Sequence, residues 1–524
     1  MKNTLSSVEL YIYFFIWSTA NVYCLVKLFQ SQNAILKEDP YTPSTLIDLQ
    51  PGWNFLDRHK DVSDIEWSSW KYFIQTSWIY LFFQFFISEF IRSYSASLLK
   101  YWYILSSTIF IILYMGTKQF LIISIQPILY TCILFCGGKK ASIWIVSITL
   151  LISYNSLKYK YFFWNYLEHD NLYDEEVYLL LFCIAWTELR CISYSLDFIE
   201  RNKKSYNETI SETMINLTSY VFYLPLLYSG PVLLYSDYEN SFLVTEVNLK
   251  RKLKRFFLDL LLFWIYTFIL DLSLHYIYFY AMQSDMKLIR KFPTLALCGG
   301  GLYMGLNFHM KYVIAYGTTS AFTRLDNMDP PPTPRCIARI HVYSLMWRYF
   351  DVGLYRFLVK YIHKPSSQVV SKYIKPATTM NKLVASLTTF MFIFIWHGTI
   401  KRIFIWSILN YFGITLEYFS KAFSQTPLYK HFKKCFLKTD AMETRFIALL
   451  CVPLLALSAI SNFYLFAGTE VGDLFFESLS HPTLWTSLYV CTGLYCCCHV
   501  SIALENVGSR TDLAPTNNDK TDSL

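Results

Sequence analysis

The sequence predicts an all-α, polytopic integral membrane protein with roughly 10–12 transmembrane helices plus re-entrant segments. Three observations carry this. Of 524 residues, 54% are hydrophobic and only 16% charged, and the mean hydropathy is +0.30, above the balance of a water-soluble domain. The apolar residues gather in runs of about 20, the length a helix needs to cross a bilayer. The charges cluster between those runs.

Taken in order, the first run, 8–29, is too long for the apolar part of a signal peptide and lacks a small-residue cleavage site, so it reads as a retained helix. Further spans are expected at 70–92, 98–115, 118–136, 141–157, 177–197, 256–282, 293–316, 381–398, 403–420, 445–466 and 483–503. Two apolar stretches, 215–234 and 340–362, fit a simple crossing poorly. Arg201–Lys204 and Lys250–Arg255 flank the first, and the positive-inside rule puts both clusters on the cytosolic side. Its "YLPLLYSGP" also breaks a helix through Pro225, Gly230 and Pro231. A hairpin dipping in from the cytosol meets both constraints. The same reasoning applies to 340–362, which lies between Arg335 and Arg339 on one side and Lys364, Lys372 and Lys375 on the other. The span 381–398 then carries His397 toward the lumen. Lys287, Arg290 and Lys291 fall on the lumenal side in this scheme, against the rule.

The acidic loop from Ser31 to Trp67, with "DVSDIEW", is expected at the lumenal interface. One membrane-embedded domain is expected over 1–504 and a polar disordered tail over 505–524, ending "TDLAPTNNDKTDSL". No internal repeat is visible.

The formal charge of +8 is spread over several Lys/Arg clusters, which suits loops facing an anionic leaflet rather than a nucleic-acid site. The 19% aromatic content accompanies high Ile, Lys and Asn, a pattern of codon bias that needs no function. The thirteen cysteines show neither CxxC pairs nor zinc spacing and read mostly as small buried hydrophobes. Cys496, Cys497 and Cys498 at a span end also fit the acylation pattern.

Two ionisable residues stand inside otherwise apolar stretches: Asp351 in "MWRYFDVGLY" and His397 in "FMFIFIWHGTI". Singly, each has a plain structural reading, an Arg348–Asp351 ion pair and a satisfied buried histidine. Taken together they point to chemistry. Charge at membrane depth costs about 2.5–3.5 kcal/mol and usually marks a pathway or reaction centre, and imidazole is the side chain best suited to take a proton near neutral pH. A proton-relay transporter uses such residues too, though usually with repeated halves; a non-catalytic scaffold remains a further alternative.

"RLDNMDPPPTPRC", "MWRYFDVGLYRFLVKYI", "WHG", "ISNFYLFAGTEVG" and "LYCCCHVSIALE" occur in order along nearly the whole chain. This set closely resembles the Hedgehog acyltransferases of the membrane-bound O-acyltransferase superfamily. The resemblance implies the fold of that superfamily and a multi-pass protein of the endoplasmic reticulum or Golgi membrane. It implies transfer of palmitate from palmitoyl-CoA to the N-terminal cysteine amine of a secreted signalling protein, with membrane lipids and no nucleic acid among the partners. A related acyltransferase acting on a serine or lipid hydroxyl is the alternative. His397 and Asp351 fall at the two catalytic positions, the Asp standing where many superfamily members carry Asn. Trp347, Arg348, Asn462 and His499 are expected at the substrates, with Trp347 a gate to the acyl channel, and Cys336 falls where similar members are described as ligating a haem iron. One departure is "SSQVVSKY" after "KYIHKP", where the family often shows a Gly-rich turn.

Overall fold

The computed structural model describes residues 5–38, 46, 48–159, 174–202, 208–243, 248–339, 341–374 and 378–511. Among the described residues the one sheet is an antiparallel hairpin, β1 (Leu49–Pro51) with β2 (His59–Asp61), in which Gln50 faces Lys60, and the regular structure is otherwise helical. The long helices are α1 (Ser7–Glu38), α2 (Ile65–Tyr94), α3 (Leu99–Tyr114), α4 (Thr117–Phe135), α5 (Lys140–Tyr159) and α6 (Asp174–Asn202). A shorter α7 (Ile210–Val221) leads to α8 (Leu249–Ser273) and α9 (Thr294–Leu325). Then come α10 (Tyr343–Phe350), α11 (Val352–Leu358), α12 (Thr379–His397), α13 (Lys401–Ser424), α14 (Pro427–Phe436), α15 (Asp440–Ala467), α16 (Thr469–Ser480) and α17 (Leu484–Thr511). Among the described residues, eight helices are long and apolar enough to cross a membrane. The protein is a multi-pass membrane protein.

Each expected span is a helix, with shifted ends. The span placed at 256–282 instead runs Leu249–Ser273, because Asn248 caps it by accepting from the Lys250 amide and so draws the Lys250–Arg255 cluster into its first turns. Short helices, Phe279–Met282 and Met286–Ile289, fill the connection to α9. The stretch 215–234 is α7 followed by a 3₁₀ turn at Leu224–Leu226 and extended chain. From Leu217 to Tyr235 it is almost wholly buried, so its non-helical backbone is sheltered by protein. The stretch after "KYIHKP" is helical, Lys364–Val370, with Pro365 in its first turn, where a proline costs no hydrogen bond. The last helix continues to Thr511; residues 512–524 of the expected tail, and 39–45 of the acidic loop, lie outside the described residues.

α9 is the central pillar, with α1 and α8 packed along it. Gly299 lets α1 come close, since a Cβ there would strike the Cys24 backbone carbonyl. α2 and α4 pack on α6, while α12, α13 and α15 form a second layer in succession. The main apolar core lies among α2, α6, α9 and the 220–238 stretch.

Candidate active site

The segment 340–362 is not one helix. α10 ends and α11 begins at Asp351, whose backbone (φ −123°, ψ 85°) leaves the helical region. Its Oδ1 accepts the Leu354 amide at 2.9 Å, capping α11. Gly353 follows because α11 starts hard against the 231–234 chain, where a Cβ would collide with the Val232 backbone. With the helix broken, the face expected around Asp351 from continuous spacing does not form. The second oxygen, Oδ2, accepts from the Tyr316 hydroxyl of α9 at 2.9 Å. Arg348 makes no ion pair with this carboxylate; its guanidinium lies over the rings of Tyr349 and Tyr355.

His397 is the last residue of α12, and Gly398, at φ +134°, lets the chain turn away. Its ring meets those of Trp396 (4.7 Å between centroids) and Trp406 (5.3 Å). Trp396 donates its indole N–H to the Ala185 carbonyl and packs at 5.4 Å on Trp186 of α6. Trp186 in turn lies 6.4 Å from Tyr316, the partner of Asp351. An unbroken aromatic path, Trp396–Trp186–Tyr316, therefore joins the imidazole to the carboxylate.

A second wall comes from α10, α13 and α15. Trp347 crosses Trp406 edge to face at 5.1 Å and donates to Asn410 Oδ1 at 2.7 Å. Trp406 donates to Asn462 Oδ1 at 3.4 Å, and the Asn462 amide reaches Met346 Sδ at 3.6 Å. The structure thus brings Asp351, His397, Trp347 and Asn462 into one neighbourhood. His499 does not join it: buried on α17, it stacks on Tyr13 at 4.4 Å and meets Tyr495 at 4.6 Å.

Beside this cluster lies a small cavity of about 40 Å³ between α2, α6, α9 and the 228–229 turn. Trp186, Tyr228, Ser229 and Tyr316 line its inner part, and Glu66, Tyr178, Lys311 and Tyr312 also border it. The Lys311 ammonium is held by Glu66 at 2.5 Å and Asp64 at 2.9 Å, and the Tyr312 hydroxyl donates to Glu66 at 2.6 Å. Sequence reading passed over Lys311 and Tyr316. Lys311 was detectable as an ionisable residue inside the 293–316 span; a tyrosine in an aromatic-rich chain gives no such signal.

Cys336 lies just before a 3₁₀ turn (Ile337–Arg339), next to α17, where the Cys497 thiol donates to the Ala338 carbonyl at 3.4 Å. Among the described residues no group of three His, Cys, Asp or Glu could hold a metal.

Residues 138–455 match the model of the membrane-bound O-acyltransferase family. Over 500 residues, 94% of this chain and 95% of the relative, the sequence is 26% identical to protein-cysteine N-palmitoyltransferase Rasp of Drosophila melanogaster. It is 27% identical to protein-cysteine N-palmitoyltransferase HHAT of Mus musculus over 72% of this chain and 76% of that one. The mouse HHAT-like protein matches at 24%, over 80% and 79%. A helical membrane body agrees with this match, and the chain is an acyltransferase belonging to the membrane-bound O-acyltransferase family.

Proposed function

We propose that the protein transfers palmitate from palmitoyl-CoA to the N-terminal cysteine amine of a secreted signalling protein of the Hedgehog type. The observation that carries this is the run of aromatic contacts that leads from His397 through Trp396 and Trp186 to Tyr316, which donates to Asp351. The likeness to two protein-cysteine N-palmitoyltransferases, over 94% and 72% of this chain, supports the choice of donor and acceptor.

The chemistry suits these residues. Palmitate has about 14 methylenes worth roughly 0.8 kcal/mol each on burial, about 11 kcal/mol in all, so the chain is best held inside the bilayer. The polyanionic CoA meets the Lys/Arg-rich cytosolic face, and the acceptor arrives from the lumen of the endoplasmic reticulum or Golgi. α2, α6 and α9 all start on that lumenal side in the charge scheme, which opens the cavity toward the acceptor. An α-amine with a pKa of about 7.7–8.0 is partly neutral already. Its nitrogen attacks the thioester carbonyl, the C–N bond forms, the C–S bond breaks, and His397 takes the amine proton. Asp351, held by Tyr316 and Leu354, orients the acceptor and stabilises the developing positive charge. Asn462 positions Trp406 and, through it, His397. Trp347 borders the site as a gate for the acyl chain, and Arg348 approaches the donor from the same helix. Cys336 is the residue that would hold a haem iron, through its thiolate; loss of the haem absorption band in Cys336→Ser tests that point.

The test is purified protein with labelled palmitoyl-CoA and peptides beginning with cysteine, with free or acetylated N-termini. An alkali-stable amide on the free peptide alone supports the proposal. An ester on a serine peptide, or no acyl transfer, refutes it.

A further inference from the structure

α14 (Pro427–Phe436) is ten residues long, about 15 Å, and too short to cross a bilayer. Thr426 caps it by accepting the Tyr429 amide, and Pro427 opens its first turn. It joins α13 to α15, which pack side by side. Trp406, early in α13, meets Asn462, late in α15, so these two helices run antiparallel and the link between them lies at one membrane surface. Ser424 is eighteen residues beyond Trp406, about 27 Å along α13 and close to the depth of a bilayer core. In the charge scheme this surface is cytosolic.

The helix has two unlike sides. Leu428, Phe432 and Phe436 recur at a spacing of four on one, and Lys430, Lys433 and Lys434 occupy the other. Its roll is fixed by α15: the Tyr429 hydroxyl donates to Glu443 Oε1 at 3.1 Å, Lys433 pairs with Glu443 at 2.5 Å, and the Phe432 ring lies 5.5 Å from that of Phe446. Held in this way, Leu428 and Phe436 are left 67% and 65% exposed. Phe412, Phe419 and Phe423, exposed at helical spacing on one side of α13, extend the apolar surface along the span. Between Lys421 and Glu443 stand five lysines and two carboxylates, Asp440 and Glu443. Lys433 engages both carboxylates, whereas the exposed Lys430, Lys434 and Lys438 form no ion pair among the described residues.

We propose that α14 is an interfacial helix that binds anionic phospholipid of the cytosolic leaflet. Leu428 and Phe436 lie among the acyl chains, and Lys430, Lys434 and Lys438 meet the negative headgroups. Both halves of the ligand are needed. A zwitterionic headgroup brings no net charge to the three ammonium groups, and a soluble anion leaves the two apolar side chains in water. Palmitoyl-CoA shares the two-part chemistry, but its thioester lies next to its head. Bound at α14, that thioester would sit about 27 Å along α13 from Trp406, and so far from His397, whose ring contacts Trp406.

The experiment titrates the full-length protein in detergent with phosphatidylserine, or with phosphatidylcholine of the same acyl chains, and counts bound lipid by native mass spectrometry. Two variants are compared with wild type: one carries Lys430→Gln, Lys434→Gln and Lys438→Gln, the other Leu428→Gln and Phe436→Gln. All five side chains are exposed, so both variants should fold, which thermal unfolding without added lipid checks. Wild type should bind phosphatidylserine more tightly than phosphatidylcholine. The lysine variant should lose about fivefold in phosphatidylserine affinity for each lysine removed and keep its phosphatidylcholine affinity. The apolar variant should bind both lipids more weakly. Equal affinities for the two lipids in wild type, or an unchanged phosphatidylserine affinity in the lysine variant, overturn the proposal. So does equal binding of glycerophosphoserine, the headgroup without its chains, or a loss in the lysine variant confined to palmitoyl-CoA.

Discussion

The Tyr316 hydroxyl donates to Asp351 Oδ2 at 2.9 Å, tying the central helix α9 to the break between α10 and α11. A hydrogen bond to a charged group contributes about 1.5–3 kcal/mol. Tyr316→Phe keeps the ring packed between Tyr312 and Trp186 and removes only that bond. Acyl transfer to a cysteine peptide should fall about 10- to 100-fold, with the thermal midpoint nearly unchanged. A midpoint loss matching the activity loss would make the bond structural.

Asp351 has two tasks, and two substitutions separate them. Asn can still cap α11 at Leu354, so Asp351→Asn should fold normally and lose activity. Asp351→Ala loses the cap as well, at about 1 kcal/mol, and should be inactive and less stable. Equal stability of the two variants in thermal unfolding would argue against the capping role.

Lys311 is 7% exposed and paired with Asp64 and Glu66. Lys311→Met leaves two carboxylates without their cation, and breaking a buried pair in this way costs about 3–5 kcal/mol. Adding Glu66→Gln should recover part of that loss. A single variant as stable as wild type in detergent would contradict the ion triad.

In the hairpin loop, burial pushes the Asp61 carboxyl up from its ordinary 3.8 to about 6, although Ser63 and the Ala281 amide donate to it. The folded state thus favours the protonated acid. The stabilisation is complete below about pH 3.8 and is lost as pH rises through about 6. It is worth about 3 kcal/mol at most. The thermal midpoint should fall as pH rises from 3.8 to about 6 and level off above that, and Asp61→Asn should flatten that slope.

Much of the helical body could be read from the sequence because each long helix coincides with an apolar run bounded by charge or by a cap. Asp351 and His397 stood out because each interrupts such a run. The break at Asp351 was hidden: "MWRYFDVGLYRFL" keeps helical spacing on both sides, and only contact with the Val232 backbone and Tyr316 shows why the carboxylate is a cap. The place of His499 against Tyr13 and Tyr495 likewise depends on α1 returning to α17, a pairing that local pattern does not encode.

The most direct measurement compares wild type with His397→Ala, using labelled palmitoyl-CoA and a cysteine peptide, with thermal unfolding recorded on the same samples. Removal of a general base should lower turnover by about 10²–10⁴-fold while the unfolding midpoint stays put. Turnover at the wild-type rate in His397→Ala would contradict the account.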